Sequence, residues 1–220
     1  MKQVPEAVIF DMDGVLVNSE PLWRKAMIKG FSEAGVYLTE EDCLKTQGTR
    51  FKEVVQYWKT IHPVSASAKE IEAQVMLLLL NLIRSEGKPM PFIPETLDFC
   101  KKNQLKIGLA TSSDTVLMNT VVDALHIRSY FDIMVSAEFM TYGKPHPEVF
   151  LTCAEKLGVR PDKCLVIEDS INGVVAAKAA QMQVIAVPDP DHQQQRQFAL
   201  ADHKANTIKE ACNILHTLMP

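Results

Sequence analysis

The stretch Ala7-Val8-Ile9-Phe10-Asp11-Met12-Asp13-Gly14-Val15-Leu16 limits the possible folds more than any other part of the chain. Four apolar residues run without alternation into a carboxylate, and a second carboxylate and a glycine follow. A continuous run of this kind reads as a strand buried on both faces, as in a parallel sheet. In such sheets ligands bind beyond the carboxyl ends of the strands. Side chains at i and i+2 of an extended chain lean to the same side, so Asp11 and Asp13 can address one ligand. A strand that simply ends in a turn, with aspartates there for turn chemistry, accounts for the same residues. The rest of the chain has to decide between the two.

After Gly14 the periodicity becomes helical and stays so to about Gly87. Leu22, Trp23, Ala26, Met27, Phe31 and Ala34 form one apolar stripe, which Gly35 can close. Thr39 with Asp42 resembles an N-cap pair opening the next helix. Beyond the break at Gly48-Thr49-Arg50, the residues Phe51, Val54, Val55, Trp58 and Ile61 recur at helical spacing until His62-Pro63. Ile71, Val75, Leu78, Leu79 and Leu82 predict one more helix. No strand candidate falls between 17 and 87, so this segment reads as a helical domain inserted into a core made of 1–16 and 88–220.

The proline-rich 88–94 suits a connection on the hinge side of that insert. Helices are then expected over 94–103, 114–125, 147–157, 170–180 and 208–218. Strands are expected over 106–110, 132–135, 163–167 and 183–187, with a weak one over 205–207. Strands alternating with helices mean right-handed crossovers and a parallel sheet covered on both faces. The fold class is therefore α/β, a parallel-sheet Rossmann-like core with an inserted helical cap.

A net charge of −4 argues against a nucleic-acid-binding surface, which would be basic. The apolar run 76–80 is too short to span a bilayer. The N-terminus lacks the pattern of a secretory signal, and a cytoplasmic monomer is the default expectation. Cys43, Cys100, Cys153, Cys164 and Cys212 show no metal-ligand spacing and read as reduced, buried thiols.

If the sheet is parallel, the residues that close each strand meet at one rim. They are Asp11 and Asp13, then Thr111-Ser112-Ser113, then Glu168-Asp169, with Lys144 supplied by the loop Tyr142-Gly143-Lys144-Pro145-His146-Pro147. Carboxylates, hydroxyls and a lysine on one rim exceed what turn chemistry needs. They suit a hard divalent cation together with a phosphate: Mg²⁺ accepts one or two carboxylates and substrate phosphate oxygens. A hydroxyl beside backbone N–H groups at a helix start holds phosphate oxygens. Lysine neutralises further charge as a point donor.

Asp11-Met12-Asp13-Gly14, Thr111, Lys144-Pro145 and Glu168-Asp169, in this order, resemble the four motifs of the haloacid dehalogenase superfamily. The insert after the first motif resembles that family's type-1 helical cap. Gly14 to Trp23, Lys144-Pro145-His146-Pro147 and Glu168 to Gly173 are most similar to the β-phosphoglucomutase-related sugar phosphatases, among them hexitol and 2-deoxyglucose-6-phosphate phosphatases. The resemblance implies that Asp11 is the nucleophile and Asp13 the acid and base. Since a free Asp titrates at about 3.9, the resemblance implies a site that keeps Asp13 protonated when the ester arrives. It implies Mg²⁺ on Asp11, Asp169 and the Asp13 carbonyl, with Glu168 orienting ligands from behind. Thr111, Ser112 and Lys144 would hold the phosphoryl group of a small phosphorylated substrate. Ser113 is the serine expected to come nearer the site, and both serines also suit a helix cap.

In the cap, Glu20 and Trp23 follow the nucleophile strand closely and could face substrate; Trp23 serves equally well as core. Arg50 matches a cap loop that meets substrate in relatives. Asn18 stands where many relatives carry Asp. The first cap helix of β-phosphoglucomutases carries a histidine at the position aligned with Trp23, which favours a phosphatase over a phosphomutase. A dehalogenase would lack the acid at Asp13, a phosphonatase would want a cap lysine beyond what Lys25 offers, and a binding module would have lost Asp11, Asp13 or Lys144.

Overall fold

The computed structural model describes residues 4–46 and 51–219. The chain divides into two compact units, one formed by the chain up to Asn18 together with everything from Lys88 onward, the other by Ser19–Gly87.

The first unit is built on six parallel strands: β1 (Ala7–Phe10), β2 (Lys106–Thr111), β3 (Ile133–Ser136), β4 (Cys164–Glu168), β5 (Gln183–Ala186) and β6 (His203–Lys204). Their order is β3-β2-β1-β4-β5-β6. β1 is therefore central, pairing β2 on one side and β4 on the other. All four of its side chains are fully buried, which is why its sequence shows no polar alternation. Burial of a side chain such as Ile9 or Phe10 stabilises by about 1.5–3 kcal/mol. The chain builds outward from β1 through β2 to β3, then returns to start β4 beside β1. That reversal opens a crevice at the carboxyl ends of β1 and β4. In register, Phe10 lies level with Leu109 and Ile167, so Asp11 comes out beside Ala110 and Glu168.

The second unit contains α1 (Glu20–Glu33), α2 (Glu40–Lys45), α3 (Phe51–Ile61) and α4 (Ala68–Glu86). α1 and α3 both pack on α4. Thr39 and Ser67 open α2 and α4 with capping boxes to Asp42 and Glu70. On α4 the buried residues are Ile71, Val75, Leu79, Leu80 and Ile83. Leu78 and Leu82, expected in the stripe, are half-exposed. A run of four leucines hides the phase of the helix, because each residue in it matches an apolar position.

Around the sheet lie α5 (Ile93–Lys102), α6 (Thr115–Ala124), α7 (Glu148–Leu157), α8 (Ile171–Ala179) and α9 (Ile208–Leu218). The last strand falls two residues before the expected 205–207, because Asn206 and Thr207 are used to start α9. The N–H of Asn206 donates to Glu210, and the Thr207 hydroxyl accepts from the Glu210 N–H. Val17 bridges both Asp13 and Pro89, and the Met90 N–H donates to the Leu16 carbonyl at 2.9 Å. This clasp holds residues 17 and 18 with the sheet unit, where the sequence pattern divides the chain at 16/17. No helix among the described residues is long and apolar enough to cross a membrane.

Candidate active site

Asp11 stands one residue past β1, its N–H donating to the Ile167 carbonyl at 3.0 Å and so extending the ladder with β4. The residue is only 7% exposed. Lys144 arrives from the loop between β3 and α7. Its Nζ donates to Asp11 Oδ1 at 2.6 Å, to Glu168 Oε1 at 2.7 Å and to the Ala110 carbonyl at 3.2 Å. The ring of Phe150, on α7, lies 4.7 Å from the same Nζ, so both the charge and the apolar stem of Lys144 are enclosed.

Glu168 closes β4 and is fully buried. Its second oxygen accepts from the Ser170 N–H at 2.7 Å and from the Ser170 hydroxyl at 2.9 Å. Ser170 in turn caps α8 by accepting from the Gly173 N–H. A Cβ on residue 173 would fall 1.7 Å from Glu168 Oε1, so only glycine lets the start of α8 come this close to the carboxylate. Gly14 fills the same role for Asp169. It has φ +74, and a Cβ there would lie 2.1 Å from Asp169 Oδ2. Part of the Asp169 residue reaches solvent, but this close approach of backbone encloses its carboxyl.

Oxygen atoms of Asp11, Glu168 and Asp169 all lie within 4.8 Å of one another. Three carboxylates thus face one ammonium in a desolvated place. Burial pushes the Asp11 carboxyl up to about 7; Lys144 pulls it down, and the Glu168 charge raises it further. Asp169 is raised well above the ordinary range by burial first, then by Glu168 and Asp11. Burial alone would lower Lys144, but the Asp11 and Glu168 charges outweigh it and its pKa is raised. A cluster with excess negative charge and oxygen donors only fits a hard divalent cation such as Mg²⁺. Glu168, expected behind the metal ligands, has its carboxylate inside this cluster.

Asp13 takes a different direction from Asp11. Its Oδ2 accepts from the Ser113 hydroxyl at 2.7 Å. Thr111 is buried at the end of β2, and its Oγ1 accepts from the Ser113 N–H at 3.0 Å. Ser112, between them, is exposed, while Asp114 rather than either serine caps α6. Two contributors escaped the sequence reading. Ser136, at the end of β3, donates its hydroxyl to the Ser113 carbonyl at 2.6 Å, and Phe150 backs Lys144. Ser136 closes a strand just as Thr111 does, and that position was its available signal.

In the helical unit, Glu20 opens α1, and Trp23 is half-buried with its ring 5.2 Å from that of Phe51. Arg50 lies outside the described residues.

A model of the haloacid dehalogenase-like hydrolase family matches residues 5–181. Hexitol phosphatase B of Escherichia coli (strain K12) is 39% identical over 206 residues, covering 93% of each chain. The phosphorylated carbohydrates phosphatase of Thermotoga maritima is 34% identical over 180 residues, covering 82% of this chain and 83% of its own. Among solved structures, a β-phosphoglucomutase from Clostridium difficile matches with a TM-score of 0.76 at 26% identity, over 97% of this chain and 99% of that one.

Proposed function

The chain belongs to the haloacid dehalogenase-like hydrolase family, as an enzyme of the phosphatase kind, and on that premise we propose that it hydrolyses a small sugar or sugar-alcohol phosphate through an aspartyl-phosphate on Asp11, with Mg²⁺ bound. The observation that carries this reading is the pairing of Lys144 with Asp11 and Glu168 beside Asp169, with Asp13 directed elsewhere. One carboxylate is prepared to meet a phosphoryl group, and its neighbour, bonded by the Ser113 hydroxyl, is the one to handle protons.

In the first half-reaction an Asp11 carboxylate oxygen attacks phosphorus, the P–O bond to the sugar breaks, and the departing oxygen takes the proton of Asp13. In the second half, water attacks the same phosphorus and returns a proton to Asp13. The Asp11 carboxylate leaves as inorganic phosphate forms. Asp13 therefore ends each cycle protonated, as it began. Throughout, the Lys144 ammonium neutralises charge on the equatorial oxygens, and the Thr111 hydroxyl holds one of them. Mg²⁺, held by Asp11, Asp169 and the Asp13 carbonyl with Glu168 in reach, would supply charge neutralisation and hold the phosphoryl group in line.

The relatives' names, hexitol phosphatase and phosphorylated carbohydrates phosphatase, support the substrate class. A phosphomutase uses the same first half-reaction and differs only in the acceptor that takes the phosphoryl group. The test is phosphate release from a panel of hexose and hexitol phosphates with and without Mg²⁺, with hexose-phosphate isomers assayed in the same tubes. Release that depends on Mg²⁺ and outpaces isomer formation is expected; faster isomer formation than release overturns the assignment in favour of a mutase.

A further inference from the structure

A chain of hydrogen bonds runs from the loop after β3 to Asp13, and the phosphate chemistry above makes no use of it. The Glu138 carboxylate accepts from the Thr115 N–H at 3.0 Å, at the start of α6. The Glu138 N–H donates to Ser136 Oγ at 3.1 Å, and the Ser136 hydroxyl donates to the Ser113 carbonyl at 2.6 Å. The Ser113 N–H donates to Thr111 Oγ1, and the Ser113 hydroxyl donates to Asp13 Oδ2 at 2.7 Å. Residue 113 is thus fixed at its N–H, its carbonyl and its side chain, with the side chain placed on the second aspartate.

We propose that Ser113 is a positioning residue for the acid and base Asp13, and that Ser136 holds Ser113 in place to do so. This rests on the phosphatase reading of Asp13. Proton transfer in the transition state demands that donor and acceptor be aligned, and a displacement of an ångström costs about a hundredfold. Asp13 sits after the strand, in the turn that begins at Met12, where the ladder of β1 no longer fixes the side chain. Ser113 supplies that fixity from the neighbouring strand end.

The demand for a proton depends on the leaving group, and this separates positioning from general support of the fold. An alkoxide leaving a sugar alcohol needs protonation as the P–O bond breaks. A nitrophenolate leaves as the anion and does not. Steady-state rates with Mg²⁺ are to be measured on a hexitol phosphate and on p-nitrophenyl phosphate, for the wild type, Ser113→Ala, Ser113→Thr and Ser136→Ala, with melting temperatures alongside. Ser113→Ala is expected to lower kcat/KM, which reports the first half-reaction and not the shared hydrolysis of the intermediate, about 10- to 100-fold on the hexitol ester and by no more than about threefold on the aryl ester. Ser113→Thr, which keeps the donor, is expected to restore most of the hexitol rate. Ser136→Ala, which leaves the Ser113 hydroxyl intact, is expected to show the same selective loss at about 3- to 10-fold. Equal losses on both esters, or no loss in either alanine variant, overturn the inference while the phosphatase reading stands. A wild type that releases phosphate from neither ester overturns both.

Discussion

In the sheet unit Asp11 and Asp169 are stripped of water, crowded by one another and by Glu168, and hold their protons more tightly than usual. In the helical unit Asp42 and Glu70 stand in solvent at the first turns of helices and hold them less tightly. Bonds from Lys45 and then Thr39 lower the Asp42 pKa, and the Ser67 N–H and hydroxyl lower that of Glu70. The side-chain chemistry is the same, and distance along the chain separates the two uses. Asp42 and Glu70 are satisfied by partners three residues away. Asp11 is held by a lysine 133 residues away. Local pairing makes a carboxylate a structural cap, whereas convergence of distant elements on a desolvated carboxylate marks a reactive site.

The sharpest test of this contrast is to remove one carboxylate of each kind. Asp11→Asn should lower Mg²⁺-dependent phosphate release by more than about a thousandfold and abolish acid-stable labelling by substrate phosphate, whereas Asp42→Asn should leave the rate unchanged. Lys144→Met strands the Asp11 and Glu168 charges in the interior. It should cost about 3–5 kcal/mol in urea unfolding together with activity; Lys45→Met, at an exposed pair, should leave the urea midpoint nearly where it is.

Acidity extends the comparison. Because Asp11 is held up to about 7, a metal ion must displace its proton below that pH. Mg²⁺ affinity by titration calorimetry should rise with pH by up to about tenfold per unit for each proton displaced and level off once Asp169, also raised by burial, is ionised as well. In the helical unit the shift has the opposite sign, although the benefit is again lost as pH falls. Asp42 is more acidic folded than unfolded, so its box contributes stability above about pH 4 that is lost as pH falls below it. Asp42→Asn should make that acid loss shallower when followed by circular dichroism. The smallest effect is expected from Thr39→Ala, about 1 kcal/mol of stability with kcat untouched.

Most of the framework was legible in the sequence because it is written in local patterns. The unbroken run before Asp11 announced a buried strand, and the repeated strand–helix alternation announced a parallel sheet whose strand ends converge. The Thr39 and Asp42 spacing gave its capping box directly. Ser67 and Glu70 have the same spacing, and a weaker surrounding pattern hid them. What sequence spacing could not supply was direction. Nothing in Thr111-Ser112-Ser113 says which hydroxyl meets Asp13, since that depends on how the strand turns into Asp114 and α6. Nor does the run Met76 to Leu80 say which leucines are buried. Ser136 shares its strand-end position with Thr111, but its bond is to a main-chain carbonyl, which leaves no further mark in the sequence. The place of Glu168 beside Asp11 follows from the β1–β4 register, which needs the strand order and so is not contained in the Glu168-Asp169 pair alone.

The clasp at Leu16, Val17, Pro89 and Met90 also bears on how such a chain can be rebuilt over generations. Because the two crossing strands are tied to each other at the exit from the sheet, the core experiences the whole insert as a single short hairpin. Closing that loop costs entropy that grows only with the logarithm of its length. A lineage can therefore lengthen, shorten or exchange the helices between Ser19 and Gly87 without disturbing the register of β1 with β2. The carboxyl end of the sheet can keep its register, and the segment behind the clasp is the one open to replacement.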